Sequence, residues 1–90
     1  MKNRCRNEII AAILEVISRG GYTRTKIMYG AFLSYTQLNE YISFLLKKDL
    51  ISRQQKTNHP AASFRITEKG THFLKIHSQI NEMITILQSK

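Results

Sequence analysis

A run of hydrogen-bonding side chains in the middle of the chain carries the most distinctive chemistry in the sequence. It offers hydroxyl, carboxamide and ammonium groups from Ser34, Tyr35, Thr36, Gln37, Asn39, Ser43 and Lys47. The carboxamides of Gln37 and Asn39 are able to form paired hydrogen bonds with adenine, and Tyr35 suits phosphate or thymine-methyl contacts, as does Thr36. The run lacks arginine and includes Glu40, so we expect modest base recognition, with affinity coming mainly from the nucleic-acid backbone. The alternative is an ordinary solvated helix face.

The spacing of apolar residues predicts that one helix carries this run. Ser34 and Gln37 match the capping-box pattern Ser-x-x-Gln at a helix start. The apolar positions that follow recur at helical spacing and are Leu38, Tyr41, Ile42, Leu45 and Leu46. Lys47 and Lys48 come last, where cations favour the carboxyl end of a helix. The polar run therefore forms the outward face of an amphipathic helix.

Two helices are predicted before this one. The first covers Arg6–Arg19, has an apolar face, and ends at Gly20-Gly21, which tolerate positive φ. The second is short, from about Arg24 to Ala31, with Thr23 as its cap. Only Phe32-Leu33-Ser34 separates it from the third helix. Two short helices joined in this way indicate a helix-turn-helix.

Downstream of the third helix the pattern changes to period two. Ser63–Thr67 alternates apolar and polar residues, Leu50–Gln54 is short and extended in character, and the two segments predict two strands. The polar segment 55–62 holds the only proline of the chain, and Asn58 and Pro60 are turn formers. This predicts a hairpin with a basic tip, and the order of elements predicts a winged helix-turn-helix.

Cations cluster in three places around this predicted fold. The hairpin, the amino-terminal arm and the start of the second helix supply Arg53, Lys56, Arg65, His59, Lys2, Arg4, Arg6, Arg24 and Lys26. For any one of them a solvated surface charge explains the residue equally well. If about six engage phosphates, affinity should fall steeply with salt.

The last segment predicts a long helix with a single apolar stripe. It runs from Glu68 to Lys90, about 30 Å at ~1.5 Å per residue. We expect Phe73, Leu74 and His77 to pack on a domain formed by residues 1–67, and the rest of 68–90 to pair with a second copy. The expected dimer interface comprises Ile76, Ile80, Met83, Ile84 and Leu87. The pattern alone leaves parallel and antiparallel pairing open.

Composition narrows the class of partner. The 90 residues carry a net charge of +8, which favours nucleic acid or an anionic membrane surface, although a basic protein with no such partner has the same balance. No apolar run approaches the ~20 residues that cross a bilayer, and no signal peptide is evident. The lone Cys5 fits a reducing compartment, so we expect a cytoplasmic protein without membrane partners.

Catalysis is not expected from these residues. The sequence shows no Ser/His/Asp set, paired carboxylates or glycine-rich phosphate loop, and it suggests neither a cofactor nor a small-molecule ligand. A metal site would have to use Cys5, His59, His72 and His77. The last two are five positions apart and therefore lie on different helix faces, so no metal is expected either.

Several segments together resemble archaeal winged-helix DNA-binding proteins of the SSO10a type. They are Thr25-Lys-Ile-Met-Tyr, Leu33-Ser-Tyr, Phe44-Leu-Leu-Lys-Lys-Asp-Leu-Ile and Phe64-Arg-Ile-Thr-Glu-Lys-Gly, and the similarity extends from about Asn7 to Leu87. The resemblance implies a homodimer, joined by an antiparallel coiled coil of the last helices, that binds double-stranded DNA in the nucleoid. Two DNA roles remain open, a transcription regulator and an architectural protein. A winged helix used for protein–protein contact is the alternative from another class.

Overall fold

The computed structural model describes residues 5–20, 23–54 and 63–88, and their elements follow the predicted order. The elements are α1 Arg6–Ser18, α2 Arg24–Gly30, α3 Tyr35–Lys47, β1 Ile51–Gln54, β2 Ser63–Ile66 and α4 Glu68–Gln88. The two strands form one antiparallel hairpin. The predicted fold class, a mainly α winged helix-turn-helix followed by a long C-terminal helix, is confirmed. Within the described ranges, no helix combines the length and apolarity that crossing a membrane requires.

The core is a single cluster built by α1, α2, α3 and the hairpin. Its buried members are Ile10, Ile13, Leu14, Ile17, Ile27, Ala31, Leu33, Leu38, Ile42, Leu45, Leu50, Ile51 and Phe64. Among the apolar side chains described in α4, Phe73 and Leu74 pack against its margin, and the His77 ring stacks on Phe73 at a centroid distance of 6.0 Å. The long helix therefore touches the domain mainly through its first half.

Hydroxyl side chains cap the amino-terminal ends of α2 and α3. The Ser34 hydroxyl accepts from the Gln37 backbone N–H at 3.2 Å, and the Gln37 side chain accepts from the Ser34 N–H at 3.1 Å. The capping box is thus confirmed. Thr23 caps α2 in the same way, since its Oγ1 accepts from the Lys26 N–H at 3.3 Å.

The hairpin register decides which side chains share a face. Arg53 lies directly opposite Phe64, and Ser52 lies opposite Arg65. Because opposed residues of an antiparallel pair point to the same face, Arg53 belongs to the face of the buried Phe64 and Arg65 belongs to the other. A bridge between Thr23 and Ser63 joins the hairpin to the start of α2.

β1 begins one residue later than predicted, at Ile51, and β2 ends one residue earlier than predicted, at Ile66. Thr67 leaves the strand because its hydroxyl caps α4: it donates to the Asp49 carbonyl at 2.7 Å and accepts from the Gly70 N–H at 3.1 Å. Gly70 is buried, and a Cβ there would collide with the Leu50 carbonyl oxygen. The absence of a side chain at Gly70 therefore lets α4 start against the end of β1.

Candidate nucleic-acid interface

The amino-terminal half of α3 presents its polar side chains to solvent. Ser34, Tyr35, Thr36 and Gln37 are all exposed, as are Ser43 and Lys47 further along. The opposite face is fully buried through Leu38, Ile42 and Leu45. A helix anchored in the core along one side and exposed at its capped end has the geometry for entering a groove.

Asn39 differs from the other polar residues of α3 because a protein partner already holds it. The Arg24 guanidinium donates from Nη1 to Asn39 Oδ1 at 2.6 Å, and both residues are half-buried. This bond uses one of the two lone pairs of the carboxamide oxygen. The second lone pair and the Nδ2 donors are those that the expected paired contact with adenine needs, so the bond to Arg24 is compatible with that contact.

Arg24 and Arg53 converge on the ring of Phe64. Their guanidinium carbons lie 5.2 Å and 5.9 Å from the ring centroid, within the range of a cation–π contact. Phe64 itself is only 1% exposed, so the ring is a fixed platform. Two of the predicted phosphate-binding arginines therefore lie against one ring where α2 meets the hairpin, and the bond to Asn39 places Arg24 against α3.

Arg65 lies apart from this pair. It is exposed on the other face of the hairpin and lines a shallow groove against α4, together with Ser52, His72 and Lys75. The two described wing arginines therefore cannot contact one phosphate as a pair. The sequence analysis grouped Arg53 and Arg65 as cations of one hairpin, but the register places them on opposite faces.

Arg6 is also removed from the Arg24–Arg53 pair. Its guanidinium lies over the Phe44 ring at 4.6 Å, and the Lys48 ammonium lies 5.9 Å from the same ring. A small pocket is lined by Arg6, Glu40 and Tyr41. Arg6 thus places its charge beside Glu40 and the second half of α3. Lys26 is exposed on α2. Among the other expected contacts, Arg4, Lys56 and His59 lie outside the described residues, as does Lys2 of the same arm.

Two exposed aromatic residues were missed by the sequence interpretation. Tyr29 and Phe32 are 69% and 85% exposed, at the end of α2 and in the turn before α3, and Tyr35 beside them is 63% exposed. Phe32 also has a positive φ of 57°. Glycine is usual at the position after a helix end, so the phenylalanine found there in the sequence is the signal that could have identified Phe32.

The interface expected for a second copy is exposed along α4. Ile80 is 50% exposed, Met83 62% and Leu87 77%, while Ile76 and Ile84 are 42% and 45% exposed. All five belong to the predicted stripe, and their pairing stays a prediction. Within the described ranges, no three His, Cys, Asp or Glu side chains are arranged to hold a metal ion.

A family model described as winged helix-turn-helix matches residues 3–85 of the chain. The chain belongs to the winged helix-turn-helix family. This family consists of DNA-binding regulators rather than enzymes, so the expectation that the chain is not an enzyme is confirmed. A curated relative, the uncharacterized protein MJ0287 of Methanocaldococcus jannaschii, is 32% identical over 87 residues, which cover 97% of this chain and 80% of MJ0287.

Solved structures of winged helix-turn-helix proteins share the fold. Sso10a-2, a DNA-binding protein from Sulfolobus solfataricus, matches with a TM-score of 0.68 and 22% identity, covering 97% of this chain and 99% of that one. The PcaV transcriptional regulator from Streptomyces coelicolor matches with a TM-score of 0.74 and 15% identity, covering 87% of this chain and 60% of PcaV. The chain spans about three fifths of such bacterial regulators. The resemblance to the archaeal SSO10a type is confirmed.

Proposed function

We propose that this winged helix-turn-helix protein is a homodimeric transcription regulator that binds double-stranded DNA, with α3 in the major groove and the hairpin along the backbone. The observation that carries the proposal is the position of Arg24 and Arg53 around Phe64, next to the exposed half of α3. Two cations held beside a capped, polar helix end suit a duplex, which presents phosphates along the edges of its grooves. The net charge of +8 favours the same polyanionic partner.

The proposed contacts divide between bases and backbone. Ser34, Tyr35, Thr36 and Gln37 lie at the amino-terminal end of α3, the part of a recognition helix that reaches base edges. Arg24 and Arg53 would bind the flanking phosphates. Because Arg24 already holds Asn39 and packs on Phe64, its guanidinium is positioned before DNA arrives, which lowers the entropic cost of the contact.

Dimerisation is proposed through α4. The half that leaves the domain exposes Ile80, Met83 and Leu87, and a helix with an uncovered apolar stripe gains by packing against another. The antiparallel arrangement follows from the resemblance to proteins of the SSO10a type. In such a dimer, α4 sets the distance between two copies of α3.

An architectural role is the second candidate, and the outer face of the hairpin favours it. Arg65 and Lys75 line a groove on the face opposite Arg53, together with His72 and Glu68. Cations on two faces would allow a protein to contact two DNA segments.

Binding of the full chain to duplex DNA tests these roles. Random-sequence and genomic duplexes would be titrated in gel-shift assays across a salt series. A preference for particular genomic fragments supports the regulator, and equal affinity for all duplexes supports the architectural role. Lack of binding even at low salt would overturn both and favour a winged helix used for protein–protein contact.

A further inference from the structure

Phe32 adopts a left-handed backbone conformation that the fold requires but an aromatic residue disfavours. Two hydrogen bonds close the end of α2: the Phe32 N–H donates to the Tyr29 carbonyl at 3.4 Å, and the Leu33 N–H donates to the Met28 carbonyl at 3.0 Å. This is the Schellman pattern, in which the residue after the C-cap takes positive φ. Phe32 has φ 57°, whereas α1 ends in the same way with Gly20 at φ 99°.

The Phe32 side chain contributes little to the packing of the described residues. Its ring is 85% exposed, the largest exposed fraction among the large hydrophobic side chains that the structure describes. Leu33, the next residue, is buried in the core and anchors the turn, so the turn does not need the phenyl ring for its position. A strained backbone and a solvated apolar ring both disfavour phenylalanine here. The packing of the described residues therefore gives no reason for the ring, and a contact outside the chain would supply one.

The surroundings of Phe32 suit nucleic acid. The residue lies two positions before the Ser34 cap of α3, and the exposed rings of Tyr29 and Tyr35 flank it in the chain. The sequence has no Asp or Glu between Glu15 and Glu40, while Arg19, Arg24 and Lys26 fall within that stretch. These aromatic residues have no carboxylate near them in the chain, and they lie next to the end of α3 that would enter the groove. Such a surface suits DNA as a partner better than it suits a basic protein.

We infer that Phe32 contacts the 5-methyl groups of thymine in the DNA bound by α3, with the apolar rings of Tyr29 and Tyr35 extending the same surface. The inference rests on the proposed DNA binding and deepens it by naming a specificity determinant. The thymine methyl is the apolar feature of the major groove, and phenylalanine is one of the side chains that pack on it. Base recognition by this protein therefore depends on apolar contact at the turn as well as on hydrogen bonds from α3.

Replacing thymine by deoxyuridine tests the inference, because this change removes only the 5-methyl group. The full-length wild type and the F32G variant would be titrated with one A·T-rich duplex synthesised with either base. We expect the wild type to lose about fourfold in affinity for each methyl it buries, the equivalent of ~0.8 kcal/mol. We expect the preference for the thymine duplex to be smaller in F32G by about fourfold for each methyl that Phe32 covers, and any remainder belongs to neighbours such as Tyr29 and Tyr35. F32G should also melt above the wild type, since glycine relieves the left-handed strain, and this shows that the variant folds.

The R53A variant is the matched control. It removes a proposed phosphate contact, so it should weaken binding to both duplexes by the same factor and keep the thymine preference of the wild type. Equal wild-type affinity for the two duplexes, or an undiminished thymine preference in F32G, would overturn the role of Phe32 while leaving DNA binding intact. Lack of wild-type binding to either duplex at low salt would instead overturn the proposed function, and the inference with it.

Discussion

The Arg24 guanidinium donates a 2.6 Å hydrogen bond to Oδ1 of Asn39 and thereby ties the first residue of α2 to the middle of α3. The same guanidinium packs on the Phe64 ring, so one side chain connects both helices of the helix-turn-helix to the hairpin. The residue expected to contact a base therefore also holds an arginine side chain in place. A substitution at Asn39 should therefore also affect the position of the Arg24 side chain.

Replacing Asn39 by alanine should lower DNA affinity by a similar factor on every sequence. The reason is that the substitution frees the Arg24 side chain, whose proposed partner is phosphate, a group common to all sequences. A hydrogen bond to a charged group at a half-exposed position contributes about 1 kcal/mol, or roughly fivefold in affinity. Fluorescence anisotropy on several duplexes measures the effect of Asn39→Ala, Arg24→Ala and both together.

The double variant should lose little more than Arg24→Ala alone, because both changes disable the same contact. Gln79→Ala, an exposed position on α4 outside the candidate interface, is the control and should leave the affinity unchanged. If Asn39→Ala altered the preference at a single base pair while Arg24→Ala did not, Asn39 would be a base contact after all.

Replacing Arg53 by alanine should reduce the salt dependence of DNA binding. Each phosphate contact contributes about 0.9 to the slope of log affinity against log salt concentration, so the slope should fall by about that amount. Titrations at four or five salt concentrations measure it. Arg19→Ala is the control: Arg19 pairs with Glu15 at 3.2 Å and lies at the end of α1, so its loss should leave the slope unchanged. An equal drop in both variants would show only a general effect of net charge.

Charged residues in the α4 stripe should produce monomers. Ile80→Asp together with Met83→Asp places carboxylates in the proposed interface, yet both side chains are at least half exposed in the single chain, so the domain should still fold. Light scattering gives the mass, and circular dichroism gives the helix content. Gln79→Asp, one position before Ile80 and about 100° round the helix, should keep the wild-type mass. A wild-type mass equal to one chain would contradict the pairing of α4.

Replacing Gly70 by alanine should destabilise the domain. The new Cβ would meet the Leu50 carbonyl oxygen and the Ile66 side chain, and forcing atoms into a packed site costs about 1–3 kcal/mol. Urea denaturation measures the free energy of unfolding. Lys69→Ala, on the exposed side of the same helical turn, should have little effect. An unchanged free energy of unfolding in Gly70→Ala would mean that α4 can shift away from β1 without loss.

The sequence by itself determined the elements and their boundaries to within one or two residues at the ends that the structure describes. These depend on local interactions: the spacing of Leu38, Ile42 and Leu45 places one face of α3 in the core, and the hydroxyl of Ser34 caps the helix from three residues away. Such signals act within a few positions along the chain, so they are readable without the fold. The fold class followed from the order of those elements.

Tertiary structure alone decided which of the functional candidates lie together. Arg24 and Asn39 are 15 residues apart, and nothing in the local pattern indicates that their side chains bond. Strand register placed Arg53 opposite Phe64, and Arg65, which follows Phe64 in β2, therefore lies on the other face of the hairpin. Packing likewise made Leu33 part of the core and left Phe32 exposed with positive φ. Residues distant in sequence become neighbours only when the core brings their elements together, and for that reason the composition of the candidate interface required the folded structure.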